Sequence, residues 1–352
     1  MKWLNRGYLW ITLLSLISAP ALSLPLRGAE KVIRINLGTL APRGSIYHQS
    51  LQAMAAKWKQ APGGGVRLVI YPDGTQGGEM DMVRLMRVGT LQAGLVTAVG
   101  LAEIEPGVTG LQTIPMMFRS FDEVEYVNDQ LRPMLEKRLA EKGFVVLFWV
   151  DAGWVRYFSK EAMLTPDEMK KRKVFVWAGN VAQVDIMKKH GYNPVPLETT
   201  DILPGLQTGL INAVPAPPVF ALTTQIDTRA PHMVDVHWAP LVGGCVIKKE
   251  AWEKIPSDAR AVLLKTAVET GREIRASSRK ESDDSVAAMK KRGLTVHELT
   301  PEQEARWRAA AEEIYPDIRG RIVPADIFDE VQQLLKDYRA GEKKKSPGAA
   351  GA

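Results

Sequence analysis

Cysteine is all but absent. Cys245 is the only one in the chain, so no intrachain disulfide can form, and with none near the N-terminus there is no lipoprotein attachment site. The five histidines, His48, His190, His232, His237 and His297, make no HxxxH or HExxH pair, and no carboxylate is spaced to complete a metal set. A GxSxG elbow, a Walker loop and a GxGxxG after a strand are also missing; "PGGGV" precedes a strand, the wrong order for a phosphate cradle. No enzyme class is indicated, and no cofactor or metal is expected. Long apolar runs are lacking too: the longest N-terminal stretch, Tyr8 to Ile17, is about half of the roughly 20 residues needed to span a bilayer. With Lys2 and Arg6 before it, Pro20 and Pro25 after it and small residues near Ala21, Ser23 and Ala29, it reads as a cleavable secretory signal over residues 1–29. The periplasm is the expected compartment. Removing that segment leaves 43 basic against 40 acidic residues, a net of +3, which is too weak a balance to suggest nucleic acid.

What is present is ordinary soluble composition, 45% hydrophobic and 24% charged, over enough chain for two cores. "KVIRINLGTLAP" reads as a strand with Ile33, Ile35 and Leu37 on one face, followed by a helix over 45–59. "VRLVIYP" is a second strand, "EMDMVRLMRVG" a helix stopping near Gly89, and "AGLVTAVGL" a third strand. This βαβαβ run predicts a parallel sheet with helices on both faces. Glu79 and Asp81 read as acids that favour a helix N-terminus rather than as acid/base groups.

"SFDEVEYVNDQLRPMLEKRLAEKG" is an N-capped helix leading into "FVVLFWVDAGWVRYFSK", a long apolar strand that could cross between lobes. The same grammar restarts near residue 150 with no linker, so crossing strands are expected to join the lobes. From Ala251 to Arg292 the composition is almost continuously helical around the charged centre "REIRASSRKESDDS", giving either a lobe-spanning brace or a broken pair. Further helices are expected over 301–314 and 325–338, and "GEKKKSPGAAGA", 341–352, reads as a disordered tail. Lobe I is assigned 30–152 with 241–280, and lobe II 153–240 with 281–340.

Nine tryptophans are present, and Trp149, Trp154, Trp177 and Trp238 fall at strand ends or loops. Each could be core or inter-lobe packing. Several together at crossing points favour an apolar cleft, since ligand sites are concave, mostly apolar and common between domains.

Four blocks, "YPDGTQGGEMDMVRLMRVGTLQAG", "FRSFDEVEYV", "LTPDEMKKRKVFV" and "YNPVPLETTDILPGLQTGLINAV", together resemble the substrate-binding proteins of tripartite ATP-independent periplasmic (TRAP) transporters, of the dicarboxylate-binding, DctP type. The resemblance runs from about Ile33 to about Arg292. It implies an α/β, two-lobed periplasmic binding protein fold, type II-like, with crossing hinge strands, a long bracing helix and closure on a ligand. The implied partners are membrane permease subunits.

Family members of this kind carry, on the strand after the "TPDEMKK" helix, an arginine that grips the ligand carboxylate. That slot here is Phe175, in "KRKVFVWAGN". A second family arginine falls at Val155, beside Arg156, and adjacent strand residues face opposite sides, so Arg156 is no automatic replacement. A family asparagine falls near Ala216, within "VPAPPVF". The expected ligand residues are Phe175, Trp177, Trp154, Val155, Trp149, Pro217, Phe220 and Trp238, with Asn180, Gln112 or Arg156 orienting one polar group. Such a cleft implies a hydrophobic or amphipathic ligand and resembles a branch that lacks the arginine and pairs with a helical-repeat periplasmic protein. Two alternatives stay open: an ordinary organic acid read by Arg156 or by a lysine of the Lys170–Lys173 run, and a lipid carrier or scaffold with no transport role. For Phe175 itself a register shifted by one would make it a core residue only.

Overall fold

Alternation in "IRINLGT" puts Ile35 and Leu37 on one buried face of β1 (Ile33–Thr39). This strand lies parallel between β2 (Val66–Tyr71) and β3 (Ala93–Thr97), and helices Ile46–Trp58 and Glu79–Val88 make the crossovers. β3 is shorter than "AGLVTAVGL" suggested. The Thr97 hydroxyl accepts from the Val99 amide at 3.2 Å and starts the helix Ala98–Ala102 at that point. The computed structural model describes residues 32–62 and 65–345, the last four by backbone alone. The expected signal segment, 1–29, lies outside the described residues, as does 346–352 of the expected tail.

The second run supplies β4 (Phe144–Ser159), β5 (Lys173–Trp177), β6 (Asn193–Leu197), β7 (Ala213–Ala216), β8 (His232–Lys248) and β9 (Thr295–His297). All the described strands join one sheet in the order β2-β1-β3-β8-β4-β7-β5-β6, with β9 added to β8. β4 and β8 run antiparallel along their lengths. Phe144–Asp151 opposes Val242–Lys248 next to β3, and Trp154–Ser159 opposes His232–Pro240 next to β7. Each lobe therefore owns half of both long strands, and the parallel sets expected from the sequence become a mixed sheet. Between Asp151 and Trp154 the register slips, and Gly153 sits there at φ 87°, a conformation costly to any side chain.

Each lobe packs apolar side chains on both faces of its half-sheet. In lobe I, Met82, Leu101, Val127 and Leu135 cover one face while Leu51, Met54, Trp58 and Leu263 cover the other. In lobe II, Phe158, Phe175, Ile202 and Leu206 form one side and Tyr157, Val174, Val236 and Trp307 the other.

The segment with two readings is one helix, Ser257–Lys291, about 52 Å long at roughly 1.5 Å per residue. Its charged centre is compatible with burial because the inward stripe there is small: Gly271, Ser278, Ser282 and Ser285 recur at helical spacing and are buried. Gly271 lies on Phe148 of β4, and Ser282 lies beside Gly153. The helix also packs on Ile46–Trp58 of lobe I and on Pro218–Thr223 of lobe II, which makes it a brace across both.

The C-terminal helices divide. Pro301–Glu313 buries Trp307 in lobe II, where the indole donates to Leu164 O at 2.9 Å. The last helix, Ala325–Lys345, expected with lobe II, packs its stripe Ile327, Val331 and Leu335 with Val108 and Leu131 of lobe I. It also continues to Lys345, into the first residues of the expected tail.

Val155 and Arg156 do face opposite ways. The buried Arg156 guanidinium pairs with Asp235 across the sheet on β8. Replacing it with leucine leaves that carboxylate without its partner, and Arg156→Leu is expected to lower unfolding free energy by about 2 kcal/mol in urea titrations, since Asp235 is partly solvated. A methyl group on Gly271 would lie 2.6 Å from Phe148 Cβ. Gly271→Ala, which gains about 1 kcal/mol in an exposed helix, is therefore expected to cost about 1–3 kcal/mol here by overpacking, read as a lower urea midpoint.

Candidate ligand-binding site

The carboxyl ends of β1, β3 and β5 and the middle of β8 meet between the lobes, the place where open α/β sheets hold ligands. Two chambers lie there. The first, about 120 Å³, has Thr39–Pro42, Leu95–Thr97 and Leu241–Gly243 on the lobe I side. On the lobe II side are Phe175, Trp177, Ile202, Pro215–Pro217 and Phe220. The second, about 110 Å³, is bounded by Gln112, Thr113, Val155, Tyr157, Asn180, Gln183, Tyr192 and Trp238, and by Ile314, Ile318 and Ile322 from the C-terminal segment. Each is close to the roughly 150 Å³ that accommodates a benzene-sized apolar guest.

Phe175, Trp177 and Pro215 line both chambers and form the partition. Phe175 is fully buried and meets Trp177 edge-on, with ring centroids 5.3 Å apart. The register gives it Val195 of β6 as its neighbour, and its side chain enters the Phe158, Ile202 and Leu206 core. Phe175 is thus a core residue of lobe II that also lines both chambers.

Charge is scarce. Among the described residues no lysine, arginine or histidine lines either chamber, and Glu79 is the one ionisable carboxyl. Glu79 accepts from the Thr97 amide at 2.7 Å, the Thr97 hydroxyl at 2.6 Å and the Gly100 amide at 2.9 Å. It thus ties the start of helix Ala98–Ala102 to its own helix rather than serving only its own N-terminus. Burial pushes its carboxyl above the ordinary range, against the pull of these three bonds.

The predicted residues separate into two groups. Phe175, Trp177, Pro217 and Phe220 line the first chamber; Val155, Asn180, Gln112 and Trp238 line the second. Trp149, Trp154 and Arg156 line neither. Trp149 is buried in lobe I and donates to Glu136 Oε1 at 2.9 Å. Trp154 stacks flat on His237 at 4.8 Å and against Phe121 at 4.9 Å, packing at the crossing. Arg156 is held by Asp235 on the far side of the strand from Val155. The lysine run is likewise engaged elsewhere: Lys170 pairs with Asp167 at 3.4 Å and Lys173 donates to Gly209 O at 3.2 Å. Asn180 caps helix Val181–Lys189, accepting from the Gln183 amide at 3.1 Å.

Sequence reasoning missed Tyr47, Thr39–Pro42, Tyr157 and Tyr192. The available signal for 39–42 was position, since it directly follows the first strand at its carboxyl end. Tyr157 and Tyr192 had none, because their approach depends on how helix Val181–Lys189 sits on the sheet.

The profile of bacterial extracellular solute-binding protein, family 7 (DctP), matches residues 37–320. The C4-dicarboxylate-binding periplasmic protein DctP of Rhodobacter capsulatus is 24% identical over 264 residues, covering 74% of this chain and 78% of that protein. Among solved structures, a TRAP periplasmic solute binding protein from Xanthobacter autotrophicus with bound galacturonate superposes with a TM-score of 0.78 at 17% identity, over 86% of this chain and 99% of the other. One from Sulfurospirillum deleyianum with bound succinate gives 0.75 at 21% identity, over 86% and 98%. These structures share the two-lobed fold. The profile covers most of the chain, which therefore belongs to the DctP family of bacterial extracellular solute-binding proteins, family 7, a family of solute receptors rather than of enzymes.

Proposed function

We propose that this chain is the periplasmic receptor of a TRAP-type transporter and takes a hydrophobic or amphipathic small molecule between its lobes, handing it to membrane permease subunits. The observation that carries the ligand class is the partition: Phe175, beside Trp177, stands where family resemblance places a carboxylate-gripping arginine, and no cation lines either chamber among the described residues. Burying on the order of 500 Å² of apolar surface gains about 12 kcal/mol at roughly 25 cal/mol per Å². Association costs of about 4 kcal/mol or more leave room for micromolar binding. A carboxylate in the same place loses its hydration, costing several kcal/mol, and meets the Glu79 wall instead of a partner. Closure is taken to turn about the lobe boundaries near 152/153 and 240/241, with Gly153 and the brace at the pivot. A helical-repeat periplasmic partner belongs to this reading on resemblance alone.

A second reading keeps the receptor and gives it an organic acid. Its support is that proteins of similar fold were solved with acids, galacturonate and succinate among them. Tryptophan fluorescence separates the two. The native protein is expected to respond to medium-chain alcohols at micromolar concentration and not to succinate; tight succinate binding would end the apolar reading. Phe175→Arg is expected to raise affinity for decanoate by about tenfold or more, the order of one charge-assisted hydrogen bond, and to weaken binding of the alcohols. Unchanged affinity for both would show that position 175 does not face the ligand.

A further inference from the structure

The second chamber contains hydrogen-bonding groups that the protein itself leaves unused. Tyr157 is 3% exposed and packed between Trp238 and Trp307, at centroid distances of 5.4 and 5.8 Å, yet its hydroxyl has no hydrogen-bond partner among the described residues. The Tyr192 hydroxyl, on the same chamber, also has none. Gln112 is 6% exposed, and its Oε1 accepts from the Val242 amide at 3.0 Å. That bond fixes the orientation of the carboxamide and leaves the Nε2 hydrogens as unused donors on the chamber wall. Gln112 and Tyr157 are buried residues and Tyr192 a half-buried one, and their free polar atoms line the chamber, where a ligand can meet the hydrogen-bonding capacity that the protein does not.

We infer that the second chamber is a head-group subsite that reads one uncharged oxygen, a hydroxyl or carbonyl, of an amphipathic ligand whose apolar body lies across the Phe175–Trp177 partition in the first chamber. The inference rests on the apolar reading above and names the ligand's polar end. The required chemistry follows from the groups present. A donor amide and two hydroxyls, each able to donate or accept, match a neutral oxygen, and with no charged residue on the chamber wall among the described residues they offer no countercharge to a carboxylate or to an ammonium. Burial pushes the Tyr157 phenol well above its usual range and the Tyr192 phenol upward as well, so both stay neutral. Selectivity would be large for such a site, because a ligand lacking the oxygen leaves these groups unpaired on closure.

The test compares 1-octanol with n-octane on the intact protein by tryptophan fluorescence, Trp177 and Trp238 lying on the chambers. Octanol is expected to bind at least about tenfold tighter than octane beyond their difference in water solubility. Tyr157→Phe and Tyr192→Phe are each expected to remove about three- to tenfold of octanol affinity, the scale of one neutral hydrogen bond, while leaving octane binding and the melting temperature unchanged. Equal binding of both probes, or tyrosine variants that alter neither, overturns the subsite while leaving the apolar receptor intact. Failure of both probes to bind, with succinate binding, overturns the apolar reading and the subsite with it.

Discussion

The pairing of β4 with β8 is the constraint on which the molecule depends. Each strand is long enough to serve both lobes, so the hydrogen-bond ladder that closes one half-sheet continues into the other. Because the ladder slips between Asp151 and Trp154, the two halves are joined without being one rigid plane. The brace Ser257–Lys291 then needs a smooth inner stripe to lie across the slip, and it has one in Gly271, Ser278 and Ser282. The crevice follows from the same pairing: it brings the carboxyl ends of strands from both lobes to face each other.

Within that crevice, position decides chemistry. Phe175 sits on β5 with Val174 packed in the opposite core, so whatever occupies residue 175 must be both buried and on the chamber wall. An arginine in such a place needs an anionic partner to offset its desolvation, and a bound carboxylate could be that partner. A phenylalanine needs none; it stabilises the lobe by packing whether or not a ligand is present. The remaining cation of the region, Arg156, has its partner within the protein, in Asp235. The two chambers thus present apolar surface and neutral hydrogen-bonding groups, with no cation on their walls among the described residues.

Much of the fold was legible in sequence because it follows from period. The two βαβ runs, the N-capped helices at Ser120 and Thr165, the crossing strand and the long helix all follow from apolar spacing and capping residues. The wall residues Phe175, Trp177, Pro217 and Phe220 were legible as well, since they sit at strand ends or just beyond them. The tryptophans were harder. Trp149 and Trp154 stand close to the crossing, and only the tertiary contacts with Glu136 and His237 reveal that they pack there without lining either chamber. The lobe to which the last helix belongs was not legible either: an apolar stripe says that a helix is covered, not by what.

The sequence by itself determined most of the strands and helices and that two lobes are joined by crossing strands, because those properties are carried by short-range pattern. Only the tertiary structure decided that Arg156 is paired with Asp235, that Phe175 is at once core and wall, and that Gln112, Tyr157 and Tyr192 converge on one chamber. Those facts depend on which residues distant in the chain come within a few ångströms of each other, and local spacing carries no record of that.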